Sequence, residues 1–250
     1  MLQKVALFDF DNTVARGDSI ALLLKHDLKH HPWHALYFIK VGILYLLFLL
    51  HLISFEKAKS AILFPIDGMS DEQLKAFYQN EVVPTYYSHV VEEMRQKQQE
   101  GYFVILCTAS CEAYMRYNEL PIDCLLGTKT LRKNQHETSE IIGKNCKGEE
   151  KINRILACLK AQHLEIDYEQ SYGYSDSRSD LPMLSLVKHK KRILLKHLII
   201  NSMGPIIVSF TMLVPSAIFY EATLGFLGIG LSAPQASWGT LANDARAMIS

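Results

Sequence analysis

Short apolar runs that end in acidic or hydroxyl residues constrain the fold of this chain most strongly. They occupy residues 5–10 and 102–107. Residues 169–175 are predicted as another strand that points at acidic residues, and residues 123–127 form a further candidate. Continuous apolar runs of this length are typical of strands buried on both faces of a parallel sheet. Helical patterns separate them along the chain, which predicts an α/β fold with right-handed crossovers.

Helices are predicted between these strands from polarity and capping residues. Asp18 or Ser19 is placed to cap a helix over residues 21–29, and polar helical stretches follow at 70–80, 88–100 and 148–160. Residues 128–145 have the polarity of a hairpin or an irregular excursion. With 250 residues, the chain has room for one large domain or two small ones.

Charge is balanced overall but unevenly placed. The 26 Lys+Arg and 26 Asp+Glu give a net charge of zero, which argues against a nucleic-acid partner bound through a broad basic surface. Beyond residue 197 the only charged residues are Glu221, Asp244 and Arg246, so two kinds of polypeptide are joined in one chain. The five cysteines, an odd number, do not suit a disulfide framework and predict thiols in a reducing cytoplasm.

Chemically reactive side chains follow the predicted strands. Asp9 and Asp11, at the end of the first strand, project from the same face. Two carboxylates there can hold a hard divalent cation and divide chemical roles, although taken alone they also suit an acidic loop that caps the next helix. The other candidates are Thr108 after the second strand, Lys151 in the first turn of a helix, and Asp176 and Asp180 after the last strand.

In this order, the Asp-x-Asp-x-Thr of residues 9–13, Thr108, Lys151 and the Asp-x-x-x-Asp of residues 176–180 resemble the four motifs of the haloacid dehalogenase superfamily of phosphatases. The resemblance covers roughly residues 1–187. It implies a Rossmann-like α/β core from residues 1–14 and 100–190, with a helical C1 cap over residues 15–99. A cap in that position is typical of the phosphoserine-phosphatase-like subfamily IB.

Within that subfamily, the chain resembles the phosphatidylglycerophosphatase C family. It shares a long apolar stretch in the cap, the Cys-x-Gly-x-x-Lys of residues 146–151 and the Gly-Tyr-Ser-Asp-Ser of residues 173–177. Asn12 stands where glycine is commonest in the first motif, a mild departure because asparagine tolerates unusual backbone angles. Ser175 replaces the glycine of soluble members but agrees with the lipid-phosphatase group.

The resemblance implies a role for each motif residue. Asp9 would be the nucleophile that forms an aspartyl-phosphate, and Asp11 the general acid and base. Mg²⁺ would be held by Asp9, the backbone carbonyl of Asp11, and Asp176. The substrate phosphate would be bound by Thr108, Ala109 and Lys151. Asp180 would support this arrangement or orient Lys151.

An apolar stretch and a histidine patch lie inside the implied cap. Residues 36–53 are apolar apart from Lys40 and His51, which favours a buried or membrane-inserted helix over an amphipathic surface helix. His26 and His30, four apart, are a possible zinc pair, but no carboxylate and histidine set is evident to complete a site. The alternative is a membrane-interface belt formed with its basic and aromatic neighbours, Lys25, Lys29, Trp33 and Tyr37.

The last sixty residues have a different character. Residues 203–220 give 18 uncharged residues, enough for one transmembrane helix, and the basic residues before them place the preceding domain on the cytoplasmic face. Residues 191–250 resemble a C-terminal piece of a dipeptide or oligopeptide ABC transporter permease, through Phe-Leu-Gly-Ile-Gly at 226–230 and Ser-Trp-Gly at 237–239. A natural fusion, a rearranged gene and a joining error in the sequence all remain open. The join near residues 188–192 falls where the phosphatase family completes a last strand, which predicts a compromised edge of the sheet.

These features together predict a Mg²⁺-dependent phosphomonoester hydrolase at the cytoplasmic face of the cell membrane. A lipid phosphate such as phosphatidylglycerophosphate is the expected substrate, and the tail is expected to act as an anchor. The alternatives are a soluble small-metabolite phosphatase resembling phosphoserine phosphatase and, from another class, a peptide transporter subunit. Transporter partners are not expected for the fragment alone, because one helix cannot build a translocation path.

Overall fold

The computed structural model describes residues 1–134, 136–192, 211–213, 215–224, 227, 245 and 248. The chain divides into two compact units, Met1–Leu194 and Leu195–Ser250. In the second unit, residues 211–213 and 215–224 are helical. Half of the predicted anchor, residues 203–210 and 214, lies outside the described residues, and so do both permease-like motifs apart from Leu227.

A five-stranded parallel sheet forms the centre of the first unit. Its strands, in spatial order, are β4 (Cys124–Thr128), β3 (Phe103–Cys111), β2 (Val5–Phe8), β8 (Tyr172–Ser175) and β9 (His189–Arg192). All four neighbouring pairs are parallel. The predicted α/β fold with a parallel sheet is therefore confirmed, and each predicted strand is present with shifted ends.

The remaining strands form two small pairs. Short β1 (Leu2–Gln3) pairs in parallel with β7 (Glu165–Ile166). An antiparallel hairpin joins β5 (Thr130–Lys133) to β6 (His136–Ile141), which confirms the hairpin alternative for residues 128–145.

Both faces of the sheet are covered by buried side chains. Successive side chains of a strand point to opposite faces, so one strand contributes to the cluster on each side. Val5 and Leu7 of β2 pack with one buried cluster that includes Ile155, whereas Ala6 and Phe8 pack with the other. The helices are α1 (Ser19–His30), α2 (Tyr37–Leu49), α3 (Phe55–Ile62), α4 (Asp71–Phe77), α5 (Ser88–Gln99), α6 (Glu112–Met115), α7 (Glu149–Ala161) and α8 (Leu181–Leu184).

Local capping explains where the helices between β2 and β3 begin. The Asp18 side chain accepts hydrogen bonds from the first-turn amides of α1, and Ser70 and Gln73 form a reciprocal capping box at the start of α4. We call residues 15–99 the cap, since they are inserted between β2 and β3. Leu23 and Leu74 of the cap share one buried cluster with Phe8 of the sheet.

The last strand, β9, corrects an expectation from the sequence. The change of composition near residues 188–192 suggests a damaged sheet edge, yet all four residues of β9 pair with Tyr172–Ser175. The expectation is wrong because ladder hydrogen bonds use the backbone and tolerate a run of basic side chains. The Lys191 ammonium lies 5.5 Å from the Tyr174 ring centroid and 2.5 Å from Glu93. Lysine at a sheet edge also discourages pairing with other chains.

The apolar stretch forms helix α2, and none of its residues is buried. Ile39, Leu46 and Leu49 each expose more than half of their surface. Its contacts with the cap include the stacked rings of Tyr37 and Phe64, whose centroids are 5.0 Å apart. Of the alternatives raised for this stretch, the buried helix is excluded. One helical segment of the described chain, Pro32–Leu49, has the length and apolar composition to cross a membrane, by those two criteria alone.

Candidate active site

The carboxyl ends of β2, β3 and β8 bring the predicted site residues together at one edge of the sheet. These strands are neighbours and parallel, so the residues that follow each of them meet there. A cavity of about 220 Å³ opens at this edge. Its lining consists of Asp9, Asp11, Asn12, Asp18, Ala109, Lys147, Lys151, Asp176, Ser177, Ser179 and Asp180.

Lys151 joins two buried carboxylates at the floor of this cavity. Its Nζ lies 2.6 Å from Asp9 Oδ1 and 2.8 Å from Asp180 Oδ1. It lies in the first turn of α7, after Gly148, whose φ of 59° is a conformation that favours glycine. Burial alone would lower the pKa of Lys151, but the charges of Asp9 and Asp180 raise it above its ordinary value. Lys151 is therefore an ammonium at neutral pH.

Asp9 occupies an environment that resists ionisation without further positive charge. Burial raises the pKa of Asp9 to about 7, and the neighbouring ammonium of Lys151 opposes that rise. The repulsion from Asp180 and Asp11 adds to it. Asp9 thus depends on cations to remain an anion, which is the form required of a nucleophile.

Asp11 has hydroxyl and amide partners instead of an ammonium. Ser110 Oγ donates to Asp11 Oδ2 at 2.5 Å, and the Ser19 amide of α1 donates to Asp11 Oδ1 at 2.8 Å. Burial raises the pKa of Asp11, and these hydrogen bonds oppose the rise. A carboxyl group with a raised pKa keeps its proton to higher pH, which suits a group that gives and takes a proton.

The turn after Asp11 explains why asparagine is tolerated in the first motif. Asn12 has a φ of 58°, in the left-handed region that asparagine adopts more readily than most residues. Its side-chain oxygen accepts from the Gly17 amide at 3.0 Å, and its own amide donates to the Gly17 carbonyl at 3.2 Å. The loop between β2 and α1 is closed by this pair of bonds.

Asp176 is tied to the same loop. Its amide donates to Thr13 Oγ1 at 3.1 Å, and the Thr13 hydroxyl lies 3.4 Å from Asp176 Oδ1. Burial raises the pKa of Asp176, and the nearby charge of Asp180 adds to the rise. The ends of β2 and β8 therefore hold Asp9 and Asp176 at one cavity.

The donor set of this cavity fits a hard divalent cation. Five carboxylates line it, on Asp9, Asp11, Asp18, Asp176 and Asp180, against the two ammonium groups of Lys147 and Lys151. Burial raises the pKa of three of them, so their charges are not fully compensated by the protein. Mg²⁺ prefers carboxylate and carbonyl oxygens and would supply that charge. Asp9, Asp176 and the backbone carbonyl of Asp11 are the residues that would hold it.

Thr108 and Ala109 differ in their access to the cavity. Ala109 lines it, whereas Thr108 is buried, is not part of the lining, and accepts a hydrogen bond from the Ser110 amide at 3.0 Å. The Ala109 carbonyl accepts from Thr128 Oγ1 at 2.7 Å. Of the predicted phosphate-binding residues, Ala109 and Lys151 line the cavity.

Among the residues that the sequence did not predict are two that contact the predicted site residues, Ser110 and Lys59. Ser110 follows Thr108 by two positions, and this spacing after a strand is the only sequence signal for it. Lys59 of α3 is buried and donates to the Ala109 carbonyl and to Asn145 Oδ1, both at 2.6 Å. Burial lowers the pKa of Lys59 to about 8. A lysine on a short helix normally indicates a solvated face, so no sequence signal pointed to it.

Comparison with known proteins identifies the family of this chain. The family model of the haloacid dehalogenase-like hydrolases matches residues 6–185, which is most of the chain. The chain is a haloacid dehalogenase-like hydrolase. This family assignment confirms the predicted superfamily and the prediction that the chain is an enzyme.

Solved structures share the fold of this hydrolase at low sequence identity. A protein of unknown function from Bordetella pertussis Tohama I has a TM-score of 0.63 and 22% identity, and the match covers 82% of this chain and 97% of that one. A phosphoserine phosphatase, solved as a phospho-aspartyl intermediate analogue, has a TM-score of 0.53 and 16% identity, covering 76% and 86% respectively. At these identities the likeness concerns the fold.

Curated proteins match a different and shorter part. The oligopeptide transport permease OppC of Bacillus subtilis is 57% identical over 53 residues, which are 21% of this hydrolase and 17% of the permease. The hydrolase thus spans less than a fifth of the length of this relative. The predicted likeness to a peptide permease is confirmed for this short stretch only.

We expect Ser110→Ala to lower the turnover of phosphomonoesters by this hydrolase about 10-fold to 100-fold. This factor corresponds to the free energy that one hydrogen bond to a charged group contributes. The Ser110 bond stabilises the ionised form of Asp11, so its loss raises the pKa of Asp11 further. The basic limb of the pH–rate profile should therefore move to higher pH. Steady-state phosphate release measured across pH tests this, with Ser139→Ala on the hairpin as control. An unchanged rate and profile would refute the assigned contact.

Proposed function

We propose that this chain is a Mg²⁺-dependent phosphomonoester hydrolase that works through an aspartyl-phosphate. The observation that carries the proposal is the different surroundings of two carboxylates at one cavity. Asp9 lies 2.6 Å from the Lys151 ammonium, whereas Asp11 is hydrogen-bonded to Ser110 and Ser19. Pairs of carboxyl groups in unlike environments divide the roles of nucleophile and acid between them.

The proposed reaction proceeds in two displacements at phosphorus. An Asp9 oxygen attacks phosphorus, the bond from phosphorus to the leaving oxygen breaks, and Asp11 gives that oxygen its proton. Asp11, now ionised, takes a proton from water as the water oxygen attacks phosphorus and releases Asp9. Inorganic phosphate and the alcohol are the products, and both carboxyl groups return to their starting forms.

The remaining residues of the cavity position and neutralise charge. Lys151 offsets negative charge on Asp9 and on the phosphoryl oxygens, and Asp180 fixes the Lys151 ammonium at 2.8 Å. The Ala109 amide at the cavity wall can donate to a phosphoryl oxygen. When bound, Mg²⁺ would neutralise phosphoryl oxygens and favour the ionised form of Asp9.

The cap supports a lipid phosphate as the substrate. Helix α2 exposes a continuous apolar surface of the kind that contacts a membrane or another protein. Beside it, a cavity of about 700 Å³ is lined by Leu44 and Lys40 of α2 and by Ser60 of α3. The same helix α3 sends Lys59 to the Ala109 carbonyl at the active site. One short helix therefore connects the reaction centre with the apolar surface.

We therefore propose that this hydrolase belongs to subfamily IB and is related to its phosphatidylglycerophosphatase C-like members. The substrate would present its phosphate at Asp9 while its acyl chains stay in the bilayer that α2 contacts. Lys40, in α2, and Lys57, in α3, face the cavity of about 700 Å³ and would meet anionic headgroups there. The cytoplasmic membrane face is the proposed location, and the permease-like tail is proposed as a second anchor.

We expect Ile39→Asp/Leu46→Asp to weaken binding to anionic lipid vesicles by at least about 10-fold, because each leucine-sized side chain moved from water into apolar surroundings contributes about 1.5–3 kcal/mol. Turnover of vesicle-borne phosphatidylglycerophosphate should fall in parallel. Hydrolysis of soluble p-nitrophenyl phosphate should not change. Vesicle flotation and phosphate release are the two measurements.

The control is Leu156→Asp, an exposed leucine on helix α7, outside the cap. It should bind vesicles and hydrolyse both substrates as the wild type does. Vesicle binding unaffected by the α2 substitutions would contradict membrane docking. A preference for phosphoserine over phosphatidylglycerophosphate would contradict the lipid substrate and favour the small-metabolite alternative, leaving the phosphatase chemistry intact.

A further inference from the structure

A second group of metal-ligating side chains lies in the cap, at the corner between α1 and α2. Asp27 is in the last turn of α1, His31 is the residue after that helix, and His34 is in the 3₁₀ turn Pro32–Leu36. One ligand atom from each of the three lies within 4.8 Å of the others. None of these residues belongs to the site between β2 and β8.

The carboxylate of Asp27 is held between the two imidazoles. Its Oδ1 lies 3.2 Å from His31 Nδ1, and its Oδ2 lies 2.8 Å from His34 Nδ1. Asp27 is only 6% exposed, so this is a buried anion and not one of the solvated acidic groups common on surfaces. Within the described part of the chain, no lysine or arginine forms an ion pair with it. A buried carboxylate that faces two imidazole nitrogens can share a metal ion with them, and the ion would supply the positive charge that favours a buried anion.

The local backbone brings these residues to one point. On a continuous helix, residues 27, 31 and 34 share a face, but the chain leaves the helix at His31, where φ is −131°. Pro32 then begins the 3₁₀ turn that returns His34 toward Asp27. The His34 ring is held in place by Phe64 and Tyr37, at centroid distances of 5.7 and 5.4 Å.

The neighbouring histidines are engaged elsewhere. His30 Nδ1 lies 2.8 Å from the carbonyl of His26 in its own helix, and His26 Nδ1 lies 3.5 Å from Glu81 Oε1. The zinc pair considered from the sequence, His26 and His30, is therefore not the one that the fold assembles. The described structure does bring one carboxylate and two imidazoles together, but they belong to Asp27, His31 and His34, a set that the spacing of His26 and His30 does not indicate.

We propose that Asp27, His31 and His34 bind one transition-metal dication, with Zn²⁺ the best match. Two imidazole nitrogens and one carboxylate oxygen suit Zn²⁺, whereas an all-oxygen set suits Mg²⁺. Three protein ligands would leave a fourth position open for water or another ligand. The three residues line a cavity of about 320 Å³, together with His26 and His30. The ion would neutralise Asp27 and fix the angle at which α2 leaves α1.

The test uses the full-length protein purified in detergent with excess Mg²⁺, which keeps the catalytic carboxylates occupied. Zn²⁺ binding is measured by competition with a chromophoric chelator for the wild type, His31→Ala/His34→Ala and the matched control His26→Ala/His30→Ala. We expect one equivalent bound by the wild type and by the control. The His31/His34 variant should bind it at least about 100-fold more weakly. Equal binding by all three proteins, or loss in the control alone, overturns the proposal.

A second measurement needs no variant and guards against misfolding. Co²⁺ added to the wild type should give the intense visible absorption of a four-coordinate or five-coordinate site, and one equivalent of Zn²⁺ should remove it. Weak absorption typical of six-coordinate Co²⁺ would overturn the proposal even if the variants fail to fold. The signal should fade when the pH is lowered through the range in which histidine is protonated, because imidazole ligands must be neutral.

Discussion

Replacing Asp9 with asparagine is expected to lower phosphomonoester hydrolysis by at least about 10⁴-fold while the protein stays folded. The amide cannot attack phosphorus, so the first displacement does not occur. The fold should survive because Lys151 keeps Asp180 as its partner at 2.8 Å. Burial raises the pKa of Asp9 to about 7, so the ionised carboxylate is unfavourable at this position. Replacing it with a neutral amide removes that unfavourable charge.

Phosphate release with Mg²⁺ measures this effect, and thermal unfolding checks the fold. Asp18→Asn is a matched control, since Asp18 lines the same cavity but bonds to the first-turn amides of α1, a role that asparagine also fills. Rapid acid quenching of a labelled substrate should trap a hydroxylamine-sensitive phosphoprotein in the wild type and none in Asp9→Asn. Comparable activity in Asp9→Asn and wild type would end the nucleophile assignment.

Replacing Lys151 with methionine is expected to reduce the free energy of unfolding by about 3–5 kcal/mol, the usual result of removing one partner from a buried ion pair. Asp9 and Asp180 would remain at the cavity floor without their shared ammonium. Activity should be lost as well, because nothing else on the described chain forms an ion pair with Asp9. Urea unfolding in buffer containing EDTA measures the stability change.

Two further variants separate charge from simple loss of packing. Lys151→Met/Asp180→Asn removes one of the two stranded carboxylates, so it should regain part of the stability but none of the activity. Lys147→Met, at an exposed lysine that lines the same cavity, should change neither by much. An unchanged unfolding midpoint for Lys151→Met in the absence of metal would show that the buried network does not carry the stability assigned to it.

The sequence predicted the sheet and the main residues of the site because both depend on local patterns. A run such as Val5–Phe8 is apolar at every position, and that pattern alone indicates a strand covered on both faces. Asp9 and Asp11 follow this run and Asp176 follows strand β8, and the carboxyl ends of parallel strands meet at one edge. Their convergence therefore follows from topology, without knowledge of any loop.

Contacts between the cap and the core could not be predicted in this way. Lys59 reaches Ala109 across 50 positions of sequence, and its burial depends on how α3 packs. The histidine cluster could not be predicted because the chain leaves the helix at His31, and only the 3₁₀ turn that begins at Pro32 returns His34 toward Asp27. The pairing of strand β9 could not be predicted from the change in side-chain composition near residues 188–192, because the backbone makes this pairing.

The hydrogen bond from the Ser19 amide to Asp11 makes the strength of the proposed acid depend on the position of the cap. Ser19 begins α1, the first cap helix, while Ser110 belongs to β3 of the core. A cap displaced from the core would leave Asp11 with its core donor alone, and its proton would be held more tightly. Docking of the cap would restore the Ser19 hydrogen bond and lower the pKa of Asp11. Closure of the cap over the substrate would therefore favour release of the Asp11 proton.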